Sequence, residues 1–535
     1  MSTREPESRP LPATSKPEAV GLWHPLKSAT FRNLLIADVV SDIGTFMQSV
    51  GAAWLMVSLN AGPSYVALTQ TASALPFFLL ALPAGALGDI VDRRRLILAT
   101  EIWMVAISLL LSVITLAGRM SPVLLLILTF ALSAGDAFET PTWRAVLPEL
   151  VRKEDLPSAS ALNGIEFNLA RAVGPALAGL IIASTGVATA FFVNTVSFLG
   201  VILVVWRWRR AVAKRTTPAE RVGGATVAAI RYVRYSPGIR TIILRAGTGM
   251  FFASALVALL PSIARSVDGS PLGYGALLGC FGVGAVVGAV TMQRARRRWS
   301  SDIVVSAGLV VFGLVTIASG QARHLIVLGL LMLIGGASWT SFMSLFNVQI
   351  LNQAPDWVRA RVLAISLLVL QGAVAGGSAL WGVAAGRLGI GTALFWAGVG
   401  TIATTSIGLF LRFPETGIDL TPWNHWRMPT ANPEEFENRG PVLVTVEYLV
   451  DPDQLETFIS AIHEYGRIRR RDGASRWGIC RDLEAPDRHV ETFVVASLAE
   501  HLRQHERLTR ADSEYERHLR QSLRTEPAVR HLVYL

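Results

Sequence analysis

Between Phe31 and Arg412 the chain repeats one pattern roughly a dozen times: some 20 apolar residues, then a short polar break. A bilayer core about 30 Å thick takes roughly 20 helical residues per crossing. Lipid offers nothing to pair with backbone N–H and C=O groups, so each crossing must be helical. The pattern predicts spans at 33–58, 65–88, 96–117, 121–143, 161–184 and 187–206, then at 241–264, 272–293, 302–320, 324–349, 362–386 and 390–411. The breaks alternate between arginine-rich and nearly charge-free. One set carries Arg93, Arg94 and Arg95, Arg144 and Arg152, the run from Arg207 to Arg240, Arg294 to Arg298, and Arg359 and Arg361. The other offers only Arg119, Arg265, Arg323 and Arg387. The positive-inside rule therefore expects both termini in the cytoplasm.

After Pro414 the apolar runs stop and 21 acidic residues stand against 16 basic ones. Pro441 to Val450 alternates as a strand does, Asp453 to Arg467 reads as helix, and Ser475 to Leu483 and His489 to Ser497 read as strands. Leu498 to Leu523 reads as helix and Val529 to Leu535 as a last strand. The order βαββαβ predicts a ferredoxin-like α+β sandwich. The expected fold class is thus an all-α polytopic membrane protein of 12 transmembrane helices in two six-helix halves, followed by that small domain. The expected organisation is a disordered cytoplasmic lead-in over 1–30, bundles over 31–206 and 241–412 with a linker over 207–240, a second linker over 413–440, and a soluble cytoplasmic domain over 441–535.

Composition narrows the function classes. A hydrophobic fraction of 51% and a mean hydropathy of +0.44 are too apolar for a soluble enzyme of this length. The net charge of +10 is accounted for by loops on one side of the membrane, where it serves topology and contact with lipid headgroups; nucleic acid is not the expected partner. Residues 1–26 have no apolar signal-peptide core. Cys280 and Cys480 lack metal or disulfide spacing, and no G-x-x-x-x-G-K-[ST] phosphate loop is present. No cofactor, metal or catalytic residue is expected.

Motifs recur about 200 residues apart. Gly85-Ala-Leu-Gly-Asp89 runs into Arg93-Arg94-Arg95, and Gly288 runs into Arg294 and Arg296 to Arg298. Gly174-Pro175-Ala-Leu-Ala-Gly179 finds an echo in Gly376-Gly377 and Gly382. Six plus six helices related by an axis along the membrane normal is a transporter architecture. Gly85-x-Leu87-Gly88-Asp89-x-x-Asp92-Arg93-Arg94 resembles the loop 2–3 signature of the major facilitator superfamily, with Asp92 where glycine is usual. Gly174, Pro175 and Gly179 resemble the helix 5 antiporter motif of drug/proton exporters, with Ala170 and Ala178 replacing two glycines. With Pro141 to Arg144 and Arg359 to Arg361, the chain resembles the exporter branch that includes enterobactin and macrolide efflux proteins. The helix 4 arginine frequent in drug/proton antiporters is absent, since Ala131 to Gly135 is uncharged. The tail resembles the small dimeric domains of the antibiotic-biosynthesis monooxygenase type, and dimerisation or partner docking is its expected role rather than catalysis.

The resemblance implies that Gly85, Asp89, Arg93 and Arg94 latch one side of the molecule shut, Asp89 being favoured beside a helix N-terminus. It implies that Gly174, Pro175 and Gly179 limit proton leak. The residues themselves point to further chemistry, because an ionised side chain at the bilayer centre costs about 2.5–3.5 kcal/mol even on the lenient insertion scale. Asp38 and Asp42 share one face of helix 1. Asp42 lies near mid-span, where a carboxylate stripped of water suits reversible protonation. Glu101, Asp136, Glu139, Glu166, Arg171 and Arg245 also fall in or near the apolar layer. Arg171 is deep enough to need a partner, with Asp42, Asp136 and Glu166 as candidates. Trp54, Gln70, Asn194, Phe251, Phe252, Trp339, Asn347 and Gln371 are candidate cavity side chains. In the tail His501 and His505 share a helix face, but two ligands make an incomplete metal site.

The expected function is secondary transport of a small amphiphilic molecule, such as a drug, secondary metabolite or siderophore, out of the cytoplasm by alternating access in exchange for protons. The alternatives are uptake, lysophospholipid flipping, or a membrane anchor for a regulatory or catalytic tail.

Overall fold

The computed structural model describes residues 21–208, 222–414, 417–423 and 440–534. The greater part of the lead-in, and parts of both linkers, lie outside the described residues. Six helices, α1 (Ala29–Ser58), α2 (Gly62–Ile90), α3 (Arg93–Leu116), α4 (Pro122–Leu150), α5 (Leu156–Thr185) and α6 (Val187–Arg207), form the first half. After α7 (Val222–Tyr235), the second half is built from α8 (Pro237–Val267), α9 (Pro271–Arg296), α10 (Ser301–Ser319), α11 (Leu325–Gln353), α12 (Asp356–Leu388), α13 (Ile390–Ala403) and α14 (Thr405–Phe410). Counting α13 and α14 together, twelve segments among the described residues are long and apolar enough to cross a membrane.

Helix starts follow local chemistry. The side chains of Ser28, Asp92, Ser121, Ser270 and Ser300 each accept from a backbone N–H one turn on, capping α1, α3, α4, α9 and α10. Asp92, which departs from the usual glycine, is one of these caps. Pro122, Pro237 and Pro271 sit in first turns, where a missing N–H costs nothing.

The two halves repeat one packing scheme. Helix α1 packs on α5 and α6 as α8 packs on α12 and α13; α2 packs on α4 as α9 packs on α11; α3 packs on α6 as α10 packs on α13. Across the interface α2 meets α12 and α5 meets α9, the exchange a two-fold axis between equivalent halves requires. Three glycine pairs, Gly174 and Gly377, Gly179 and Gly382, and Gly186 and Gly389, are each 203 positions apart and do equivalent jobs. Gly186 and Gly389 take φ of +92° and +88° to turn the chain between spans. A Cβ at Gly174 would meet Ile43 O of α1 at 3.0 Å, and one at Gly377 would meet Phe251 O of α8 at 2.2 Å.

The tail folds as β1 (Val442–Leu449), α15 (Leu455–Asp472), β2 (Ser475–Arg481), β3 (Arg488–Val495), α16 (Leu498–Arg507), α17 (Arg510–Gln521) and β4 (Ala528–Val533). All neighbours in the sheet order β2-β3-β1-β4 are antiparallel, the ferredoxin-like arrangement. Alternate β1 residues Val442, Val444, Val446 and Tyr448 are buried against Phe458, Ile462 and Tyr465 of α15. The second helix expected in the tail is two, α16 and α17, broken at Leu508 and restarted by a capping box between Thr509 and Asp512.

Candidate functional site

Contacts between the halves concentrate toward the charge-poor ends of the helices. Ser64 donates to Gly382 O (3.0 Å), Thr71 to Ala375 O (3.0 Å) and Arg265 to Asn60 Oδ1 (3.1 Å). Where α5 crosses α9, a Cβ at Gly275 would stand 2.7 Å from Pro175 O and 2.8 Å from Gly179 Cα, so the backbones touch, as small residues allow. Toward the basic end, a Cβ at Gly85 or Gly164 would meet no atom within 4 Å. No neighbouring helix approaches Gly85 closely here.

Between these regions lies a cavity of about 290 Å³, walled by α1, α2 and α5 of the first half and α8, α9 and α11 of the second. Its surface is mostly apolar and aromatic, with Phe46, Phe167, Tyr274 and Phe281, and it carries the neutral polar groups Ser49, Thr69, Gln70 and Ser73. Among the described residues, Arg171 is the one charged residue in its lining. Phe46 and Phe167 meet edge to face at 5.6 Å. Asp42 and Glu166, four and one residues before them, stand nearer the basic end.

Those two acids belong to a wider cluster. The carboxyls of Asp42 and Glu166 lie within hydrogen-bonding reach of each other between α1 and α5, and those of Glu101 and Glu139 do so between α3 and α4. Trp143 Nε1 donates to Asp38 Oδ2 (3.0 Å), Thr140 to Asp136 Oδ1 (3.1 Å) and Thr100 to Glu139 Oε2 (3.2 Å). Glu101 and Glu166 are buried, and Glu101 Oε2 and Glu166 Oε1 receive no N–H or hydroxyl donor. An ionised carboxylate only accepts, so a bond between two carboxyls requires one of them to hold a proton.

Several expectations need correction. The acids do not partner Arg171: they turn to one another, and Arg171, facing the cavity, makes no ion pair among the described residues. Arg245 is instead a packed ion pair with Asp302, with its guanidinium 3.9 Å over Phe413. Arg93 bonds Ala145 O and Glu149 Oε1 of α4, both at 2.7 Å, and Arg94 donates to Val205 O (3.0 Å) and Trp206 O (2.5 Å) at the end of α6. Arg94 thus binds the unpaired terminal carbonyls of α6, which attract cations, while Arg93 is held in the last turns of α4 by Glu149. The side chain of Asp89 lies outside the described residues. Gly174 packs on α1, while Pro175 and Gly179 form the α9 crossing.

Of the expected cavity side chains, Gln70 lines it and Trp54 stacks on Tyr274 at 6.1 Å. Asn194 is fully buried and bonded to Gln48. Trp339 sits among Phe281, Phe312 and Phe342. Ser49, Ser73 and Tyr274 carried no signal in the sequence, since mid-span polar residues recur on every helix.

In the tail, His501 Nε2 lies 2.9 Å from His531 Nε2 and 3.2 Å from His505 Nε2. Burial, then the neighbouring His505, pushes His501 down to about 3, and burial followed by Arg469 pushes His505 to about 4, so these rings are neutral at pH 7. Trp477 donates to buried Glu491 (2.7 Å), which also accepts from Tyr448 (2.8 Å).

The model of the transmembrane secretion effector family matches residues 20–535. Among curated proteins, the staphyloferrin A transporter of Staphylococcus aureus is 24% identical over 69% of this chain and 93% of its own length. The multidrug efflux pump Tap of Mycolicibacterium fortuitum is 23% identical over 62% of this chain and 83% of its own. The enterobactin exporter EntS of Salmonella typhimurium is 25% identical over 63% and 73%. The fold is shared with the nucleoside transporter NupG at a TM-score of 0.58 and 12% identity, covering 72% of this chain and all of that one. A bacterial homologue of the lysosomal transporter Spinster gives 0.57 and 13%, over 72% and 96%. The chain is a multi-pass membrane transporter and belongs to the transmembrane secretion effector family of the major facilitator superfamily.

Proposed function

We propose that the chain exports a small amphiphilic molecule across the inner membrane in exchange for protons, with its basic end and both termini in the cytoplasm. On that orientation the present conformation is closed outward and open inward, ready to load from the cytoplasm. The observation that carries the reading is the Asp42–Glu166 carboxyl pair. It joins α1 and α5, the helices that carry Phe46, Phe167 and Arg171 into the cavity, and Asp42 is about one helical turn from Phe46. Gaining or losing the shared proton changes whether α1 and α5 attract or repel beside the bound molecule. Such a step biases two states only through the difference in its energy between them. The named substrates of the relatives, two siderophores and unspecified drugs, support an amphiphilic cargo. Asp89, Arg93 and Arg94 would latch the basic end in the opposite state, releasing the α4 and α6 carbonyls that the two arginines hold now.

The test is substrate accumulation in energised everted vesicles with a pH probe in the lumen. Wild type should release protons from the lumen as substrate enters. Asp42→Asn, which cannot cycle the proton, should lose about tenfold or more of energised uptake while exchanging substrate down its gradient. Equal proton-coupled uptake by both would refute antiport through this pair. Uptake by intact cells instead of everted vesicles would reverse the direction.

A further inference from the structure

We propose that the transported molecule carries an anionic group, such as a carboxylate, and that Arg171 is its anchor; this rests on the exporter reading and names its substrate class. Among the described residues, Arg171 is the sole charged residue lining the cavity between the halves. It lies roughly 22 Å along α5 from Leu156 and roughly 21 Å from Thr185, at 1.5 Å per residue. Its side chain is too short to snorkel from there to either membrane surface. A structural arginine at such a depth is expected to be paired. Here the obvious partners are absent: among the described residues no carboxylate bonds Arg171, although Asp38, Asp42, Glu101, Asp136, Glu139 and Glu166 all stand on helices of the same half. Asp42 and Glu166 are committed to each other, as are Glu101 and Glu139.

The cavity therefore presents a guanidinium with its donors open, in surroundings that favour aromatic and aliphatic carbon. A planar fork of N–H donors matches a carboxylate bidentately. Phe46, Phe167 and Tyr274 supply faces for a ring attached to it, and Ser49, Gln70 and Ser73 supply neutral hydrogen bonds. A cationic drug would meet the guanidinium with no acid in the lining to offset the repulsion. The site thus separates organic anions from organic cations of equal size.

The test uses the full chain in lipid nanodiscs and a matched pair of probes, 2-naphthoate and 2-naphthamide, which share a ring system and differ in charge. Wild type should bind naphthoate about tenfold or more tighter than naphthamide, as expected for hydrogen bonds to a charged group. Arg171→Gln should bring the two affinities together while leaving naphthamide binding unchanged, which also reports an intact cavity. Arg171→Lys should keep part of the preference, because it keeps the charge and loses the fork. Equal affinities in wild type, a preference that survives Arg171→Gln, or loss of both probes in that variant would overturn the proposal. Energised accumulation of naphthoate in everted vesicles is read separately. Arginine-dependent binding without accumulation would fail the exporter reading and leave the anion site standing.

Discussion

At the residue scale, the molecule handles ionisable groups by where their protons can go. In the membrane part, carboxyls meet carboxyls, and one cation is left facing the cavity. In the tail, three imidazoles are packed neutral, which makes folding depend on pH. A histidine in an unfolded chain titrates near 6.5, while burial and His505 hold folded His501 down to about 3. Between those values the unfolded chain binds a proton that the folded one refuses. Stability is therefore full above about pH 6.5 and falls as the pH drops toward 3. By pH 5, His501 alone should cost about 2 kcal/mol, since each whole pH step below 6.5 removes about 1.4 kcal/mol. Scanning fluorimetry of the tail transition at pH 7 and pH 5 should show that drop, and His501→Gln should flatten it. An unchanged slope in the variant would assign the pH response to other buried groups, His505 among them.

At the scale of elements, the α5–α9 crossing is a tightly constrained contact between the halves. Backbone meets backbone there, so a side chain at Gly275 has no flexible tip to push aside. Gly275→Leu should insert into the membrane yet disfavour the state closed at the charge-poor end. A bias of about 1.4 kcal/mol shifts the population tenfold. Spin labels near Thr185 and Leu272 should move apart, and transport should fall about tenfold or more; wild-type distances would remove this crossing from the gate. Much of this level was legible in the sequence. Span number, the duplication and the βαββαβ order follow from periodicities that each helix or strand must satisfy by itself. The facing of individual residues did not follow. Gly179 and Gly382 are alike in sequence, and only packing tells that one meets Gly275 and the other Ala67. Arg171 was legible as a deep charge, but its lack of a partner depends on Asp42 and Glu166 preferring each other, a relation among three side chains on two helices. Asn194 and Gln70 were equally plausible cavity residues until helix rotation sent one to Gln48 and the other to the lumen between halves.

At the scale of the whole molecule, the tail is bolted to the second half. Arg231 of α7 pairs with Glu500 at 3.2 Å, Arg471 lies 5.3 Å over Tyr232, and Arg507 lies 4.6 Å over Trp357 in the first turn of α12. Tyr232 in turn meets Trp357 edge to face at 5.6 Å. Aromatic and cation–π contacts of this kind contribute about 0.5–1.5 kcal/mol each. Trp357→Ala should therefore speed amide exchange in α7 by roughly tenfold, with β1 and β3 of the tail left as slow as before. Unchanged exchange in α7 would mean that the tail and the bundle are held together elsewhere.

Since α7 and α12 both join the tail to the half that carries them, rocking of that half swings the whole sandwich like a lever arm. A binding protein, a second tail or a metabolite clamped on its outer surface would then act as a brake on the cycle, without ever touching the cavity.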